Sequence, residues 1–285
     1  MKHIFFLSVI FGLPLFAQDL AETVSTPDAA ASGWINTMSF SSGISQSHFA
    51  NWSEGGDNSL TWQTSLKAKA ILDKKTTAWE SQADFQYGQT KLNDDPMRKS
   101  LDKIFLETLY RYKLTDLFSP YVSGRFESQF TAGYEYPDSL PRRQISSFMD
   151  PGYLTESVGM KYDPNKIFNS RLGFALKHTI SDGLGWADDP DTKKVETSKH
   201  EPGLESISEL TTGISEIISF NSRLSFFVNF KGTEQVDGRW ENTVAIKAAE
   251  YFSLNFSLET LYDYDLDKDA QLRQGLTANL VYNLF

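Results

Sequence analysis

Apolar side chains fall on every second position of this chain over long stretches. Phe252, Leu254, Phe256 and Leu258 are set between Ser253, Asn255, Ser257 and Glu259. Leu224, Phe226, Val228 and Phe230 alternate in the same way with Arg223, Ser225 and Asn229. A period of two is that of a β-strand, whose successive side chains leave opposite faces. The runs exceed the roughly five or six residues usual for soluble strands, and the polar positions include charges. One greasy face and one charged face on strands of this length predict a closed, antiparallel, up-and-down transmembrane β-barrel, because lipid tolerates no open sheet edge. A soluble β-sandwich is the rival architecture, but its strands are shorter and need no aromatic belt.

Export is expected from the N-terminus. Met1, Lys2 and His3 make a basic start, Ile4 to Phe16 is almost wholly apolar, and Ala17 offers a small residue before Gln18, as in a signal peptide. The apolar stretch is shorter than the ~20 residues of a spanning helix. Residues 1–17 therefore read as a cleaved signal, 18–33 as a flexible periplasmic leader and 34–285 as the barrel. The chain has no cysteine, which excludes a disulfide framework, a thiolate metal site, a thiol nucleophile and a lipoprotein anchor. A formal charge of -10, with no basic patch interleaved with aromatics, argues against a nucleic-acid partner.

The alternation places about twelve strands, an even number as bacterial barrels require, at 34–45, 60–73, 78–92, 102–115, 119–131, 152–163, 169–181, 204–216, 220–232, 239–249, 251–263 and 271–285. Links of one set read as long (46–59, 93–101, 132–151, 181–203, 233–238, 264–270) and those of the other as tight. Such alternation separates an outer from a periplasmic end. Trp34, Trp62, Trp79, Tyr121, Tyr162, Trp240 and Tyr262 stand near strand ends, where interfacial girdles form. In 204–216, Ile207 is out of phase with Leu210 and Ile214, which predicts a bulge. The terminal run Leu276, Ala278, Leu280, Tyr282, Leu284 ends one step before Phe285. It resembles the last strand that barrel-assembly machinery reads.

The polar phase carries Lys67, Lys69, Lys103, Glu107, Arg111, Arg125, Glu127, Arg171, Lys177, Arg223, Glu241, Lys247 and Glu259. A charge facing lipid costs about 2–4 kcal/mol at mid-membrane, so these residues are expected in the lumen. Two readings remain open: opposite signs pair and fill the interior, or the lumen is a polar pore whose basic residues select anions.

The first outer loop reads Asn51-Trp52-Ser53-Glu54-Gly55-Gly56-Asp57-Asn58-Ser59. This N-W-x-x-G-G-x-N-S stretch, with Arg98–Lys103, Gln129–Pro137 and Ile145–Tyr153, resembles an uncharacterised outer-membrane β-barrel family of Bacteroidota-type bacteria, a domain of unknown function. The resemblance implies the barrel and brings no activity with it.

Candidate contact residues lie in loops. Trp52, Gly55, Gly56 and Asn58 combine a stacking face, an amide and backbone freedom, as in a ligand-contacting loop; a loop folded inward as a plug, or a tight turn, is the alternative. Tyr134, Tyr136, Arg142 and Arg143 suit a glycan or anionic headgroup, in a loop able to fold over the mouth; an ordered loop without ligand is the alternative. Asp263, Asp265, Asp267 and Asp269 alternate, but Lys268 and Gln274 stand where an EF-hand needs Gly and Glu. Both this run and Asp188, Asp189 and Asp191 read as solvated acidic turns, with a loose divalent-cation bridge to lipopolysaccharide as the alternative. No cofactor site is expected. Of the three histidines beyond residue 17, His48 falls in the first loop, His178 on an outward phase and His200 in a loop. No hydrolase, P-loop or dinucleotide motif accompanies them.

The reading is a porin-like passive channel for small polar solutes. The alternative is a closed barrel whose loops bind surface glycan, lipopolysaccharide or a partner protein, and an outer-membrane lipid hydrolase stands a distant third. Lipid, lipopolysaccharide and the assembly machinery are the expected partners.

Overall fold

The structure, a computed structural model, describes residues 33–48, 57–137, 140–188, 193–231, 236–263 and 267–284. The expected signal and most of the leader, Trp52, Gly55, Gly56, Asp189, Asp191, Asp265 and Phe285 lie outside the described residues.

The elements are β1 (Trp34–Ser47), β2 (Ser59–Asp73), β3 (Thr77–Leu92), β4 (Arg98–Tyr112), β5 (Phe118–Ser128), β6 (Gly133–Glu135), β7 (Arg143–Ser146), β8 (Gly152–Tyr162), β9 (Phe168–Ile180), β10 (Ser198–Gly213), β11 (Ile218–Asn229), β12 (Val236–Ala249), β13 (Phe252–Asp263) and β14 (Asp267–Asn283). Twelve of them close into a barrel in the order β1-β14-β13-β12-β11-β10-β9-β8-β5-β4-β3-β2, and β6 with β7 forms a separate ribbon in the β5–β8 link. All neighbours are antiparallel, so an even number of strands lets the last one meet the first. β1 pairs with β2 along its whole length, from Trp34↔Leu72 to Ser47↔Ser59. With β14 it pairs only from Ser39↔Asn283 to Ile44↔Ala278.

The two faces invert the usual order of a soluble protein. Phe174 is 66 % exposed on the outside, whereas Glu205 is 2 % exposed within. An apolar exterior this continuous is stable in lipid and a liability in water. Aromatic rings band both ends. At the short-turn end Trp34 meets Trp79 at 5.8 Å, Trp79 meets Tyr110, Phe118 meets Tyr162, and Tyr251 stacks on Tyr282. At the other end Trp62 contacts Tyr87, and Phe174 contacts Phe230. The amphipathic Trp and Tyr rings among them suit the headgroup level.

Four expectations need correction. β10 begins at Ser198 and pairs without a register shift on both sides, so there is no bulge. Ile207 is buried in the lumen beside Glu205 and Glu209, and the outward phase there is Leu204, Ser206, Ser208, Leu210. The register shifts fall instead at Gly88/Gln89, Lys247/Ala249 and Leu261/Asp263. The alternation of link lengths is incomplete, since links 93–97 and 264–266 are no longer than links 113–117 and 163–167. Tyr121 belongs to no girdle, because it is buried in the lumen.

Tyr121 lies over a cross-strand glycine pair, Gly159↔Gly173. A Cβ on Gly173 would stand 2.6 Å from the tyrosine hydroxyl and from the Val158 carbonyl oxygen; one on Gly159 would stand 2.1 Å from the Leu172 oxygen. Two adjacent bare backbones thus make the seat for the ring, which also faces the Arg171 guanidinium at 5.7 Å. Gly173→Val is expected to destabilise the barrel by about 1–3 kcal/mol through overpacking, read as a lower urea midpoint for unfolding from lipid vesicles. An unchanged midpoint would contradict the seat.

Candidate functional site: the charged lumen

Alternation on each strand sends every second side chain inward, and closure then brings distant strands face to face. The resulting contacts are ionic. Lys103 on β4 reaches Glu241 on β12 at 3.0 Å, and Arg239 on β12 reaches Glu127 on β5 at 2.8 Å. Arg223 on β11 contacts Glu107 on β4 at 3.0 Å and also pairs with Glu209. Glu107 is shared further with Arg171 of β9, so one carboxylate joins two guanidiniums from different walls. Arg125 binds Glu205 at 2.6 Å and Glu127 at 3.0 Å; Lys177 binds Asp237 at 2.6 Å. Nearer the short-turn end, Arg111 contacts Asp163 at 2.5 Å and Glu80 at 3.7 Å, and Lys161 joins the same two carboxylates.

The remaining lumen candidates are held more loosely or near an end. Lys67 stands 3.9 Å from Asp84, and Lys69 3.7 Å from Glu80. Glu259 lies between Arg239 and Arg273. Lys247, opposite Ser253 beside the β12–β13 turn, is exposed and joins none of these pairs. Aromatic side chains line the same space: Lys103 and Arg223 face the Phe105 ring, and Lys177 faces those of Tyr153 and Phe227. A cavity of about 120 Å³ bordered by Phe105, Tyr153, Lys177, Phe227 and Arg239 extends to Asp237 and Asp263 near the outer ends of β12 and β13. A smaller one of about 30 Å³, beside Glu80, Lys161 and Asn169, lies toward the short turns. The Arg171–Glu107–Arg223 layer sits between them.

The sequence-based set contains both members of Lys103–Glu241, Arg223–Glu107, Arg171–Glu107 and Arg125–Glu127 and lacks at least one partner of the other pairs. Glu80, Asp84, Lys161, Asp163 and Arg239 lie on the polar phase of strands expected from the sequence, whereas Asp237 falls in the expected link 233–238 and joins β12 because that strand starts at Val236. Glu205 and Glu209 were obscured by reading Ile207 as an outward residue in the wrong phase.

The loop candidates are largely consumed by internal contacts. Arg142 lies over Tyr134 at 4.5 Å, Arg98 over Tyr136 at 4.3 Å, and Arg143 pairs with Glu135 at 2.7 Å. Asn58 donates its backbone N–H to Asn93 Oδ1 at 2.9 Å, tying the end of the first loop to the next outer link. The start of the 129–151 link does not cross the mouth. Asp102 accepts hydrogen bonds from the backbone N–H groups of Phe130 and Thr131, and Phe130 packs against the outward Phe85 at 6.1 Å. The end of that link is latched to the next: Ser181 Oγ donates to Asp150 at 2.5 Å, as does Leu184 N–H at 3.2 Å. Among the described residues no group of three His, Asp or Glu is placed to hold a metal ion.

His200 sits in β10 rather than in a loop, directly opposite His178. Their Nδ1 atoms are 2.6 Å apart, and His178 Nε2 lies 3.4 Å from Glu156.

Residues 44–134, from the end of β1 to the start of β6, match a family described as "Protein of unknown function (DUF3078)". No curated protein matches the sequence. Among solved structures, the chain is similar to the COG4313 outer membrane channel from Pseudomonas putida F1, at 10% identity and a TM-score of 0.42, over 87% of this chain and 94% of that one. The NanC porin gives 10% identity and 0.41 over 86% and 97%. The translocator domain of the autotransporter NalP from Neisseria meningitidis gives 10% and 0.36 over 90% of each chain. At such values the fold rests on this chain's own strand pairing.

Removing one member of a buried charge cluster strands the others. Glu107→Ala is expected to cost about 3–5 kcal/mol, because Arg171 and Arg223 lose a shared partner. Urea unfolding in vesicles measures it. A loss no greater than that of Lys247→Ala would show that the layer is not a structural unit.

Proposed function

We propose that this protein is a narrow, porin-like channel for small polar solutes in the outer membrane of a Gram-negative bacterium. The observation that carries the reading is the position of Lys67 and Lys69. These charged side chains, midway along β2 and facing inward, remain 62% and 46% exposed, while the exterior around them is apolar. A barrel serving only as a wall would have no use for solvent-exposed charge at its centre, given the cost of enclosing it. The match over residues 44–134 is to a family of unknown function; that this family is an outer-membrane barrel of the Bacteroidota type, which the motifs resemble, is part of the proposal. The names of the similar structures, a channel and a porin, agree with the reading without carrying it. Insertion by the barrel-assembly machinery and contact with lipopolysaccharide belong to the same proposal.

The ion-paired layer around Glu107 favours a second reading, a closed barrel whose loops contact glycan, lipopolysaccharide or a protein. Purified barrel in planar bilayers separates the two. Discrete steps of low conductance are expected for the channel; electrical silence at saturating protein would leave the closed barrel.

A further inference from the structure

The cross-lumen ion pairs do not fill the barrel evenly. Lys103–Glu241, Arg239–Glu127 and Arg223–Glu107 all run from β4 or β5 to β11 or β12. In the strand order around the ring they form a chord. On one side of it lie β8, β9 and β10; on the other lie β13, β14, β1, β2 and β3.

The two lobes differ in what faces inward. In the β8–β10 lobe Ser157, Arg171, Glu205 and Ile207 are buried, and Tyr121 lies across the glycine pair at its edge. In the other lobe the long inward side chains stand at its edges, Glu80, Gln82 and Asp84 on β3 and Glu259 with Arg273 on β13 and β14, while Ser41, Ser65, Ser257 and Thr277 between them are short. Asn279 covers Gly43, where a Cβ would stand 2.3 Å from its Oδ1. Gln63 Nε2 reaches past β1 to Thr277 Oγ1 at 3.3 Å. Ser39, Ser41, Gly43 and Ser45 on β1 and Asn279 and Val281 on the adjoining half of β14 are all short inward residues, so nothing long projects from that wall. Lys67 and Lys69 border this lobe, and their carboxylate partners stand at 3.9 and 3.7 Å, against 2.6–3.0 Å for the chord pairs and Lys177–Asp237.

We propose that solutes cross this barrel off-centre, along the wall formed by β13, β14, β1 and β2, and that Lys67 and Lys69 make the path selective for small anions such as carboxylates and phosphates. The inference rests on the channel reading and deepens it. Charges locked in the chord cancel one another at short range, whereas a loosely partnered ammonium in a confined polar path attracts an anion over several ångströms. Arg223 is therefore a brace and Lys67 a selector, although both carry the same charge.

The absence of cysteine makes single-cysteine mapping direct. Ser41→Cys and Ser257→Cys, treated with a cationic methanethiosulfonate reagent in planar bilayers, are expected to lose about half or more of their conductance. Ser157→Cys, in the buried lobe, should not respond to reagent. In a potassium chloride gradient, Lys67→Glu with Lys69→Glu should reverse the preference from chloride to potassium. A conducting barrel in which Ser157→Cys responds while Ser41→Cys and Ser257→Cys do not, or whose reversal potential ignores the lysine pair, would overturn this inference alone. Silence of the unmodified protein would overturn the channel reading with it.

Discussion

Hydrocarbon offers no hydrogen-bond partner to a peptide group, and the rest of this structure follows from that constraint. A sheet in lipid has to close, closure creates an inside, and the alternation of each strand then delivers half of its side chains there. Once enclosed, charged groups cannot be left alone, so opposite signs meet across the lumen. The ionic chord is thus a consequence of the greasy exterior. It also decides where open space remains.

The same logic explains which features were legible in the sequence. Strand positions, even number and inward phase depend on local alternation, and the residues from Leu60 to Leu72 or from Leu172 to Ile180 show it plainly. Glu107 shows the limit. Its partners, Arg171 and Arg223, lie 64 and 116 residues away, and their meeting depends on the curvature and stagger of the whole cylinder. Local pattern contains neither.

Three misreadings have local physical causes. Ile207 is an apolar side chain inside a polar lumen, so hydrophobicity alone assigned it to the wrong face and hid Glu205 and Glu209 on either side. Tyr121 lies near a strand end, as girdle residues do, but the paired glycines opposite it give its ring a seat within. His200 follows a polar link and was assigned to it; β10 extends that far because β9 runs on to Ile180 and offers a partner. In each case a neighbouring strand overrode the signal of the residue itself.

The seam between the first and last strands has a mechanical consequence. From Ser39 to Ile44 it holds six cross-strand pairs, while the opposite edge of β1 is bonded over its full extent. Under heat or harsh detergent the cylinder should unzip there before any other strand boundary gives way. The first and last strands would then peel apart while the charge-braced half stays rolled.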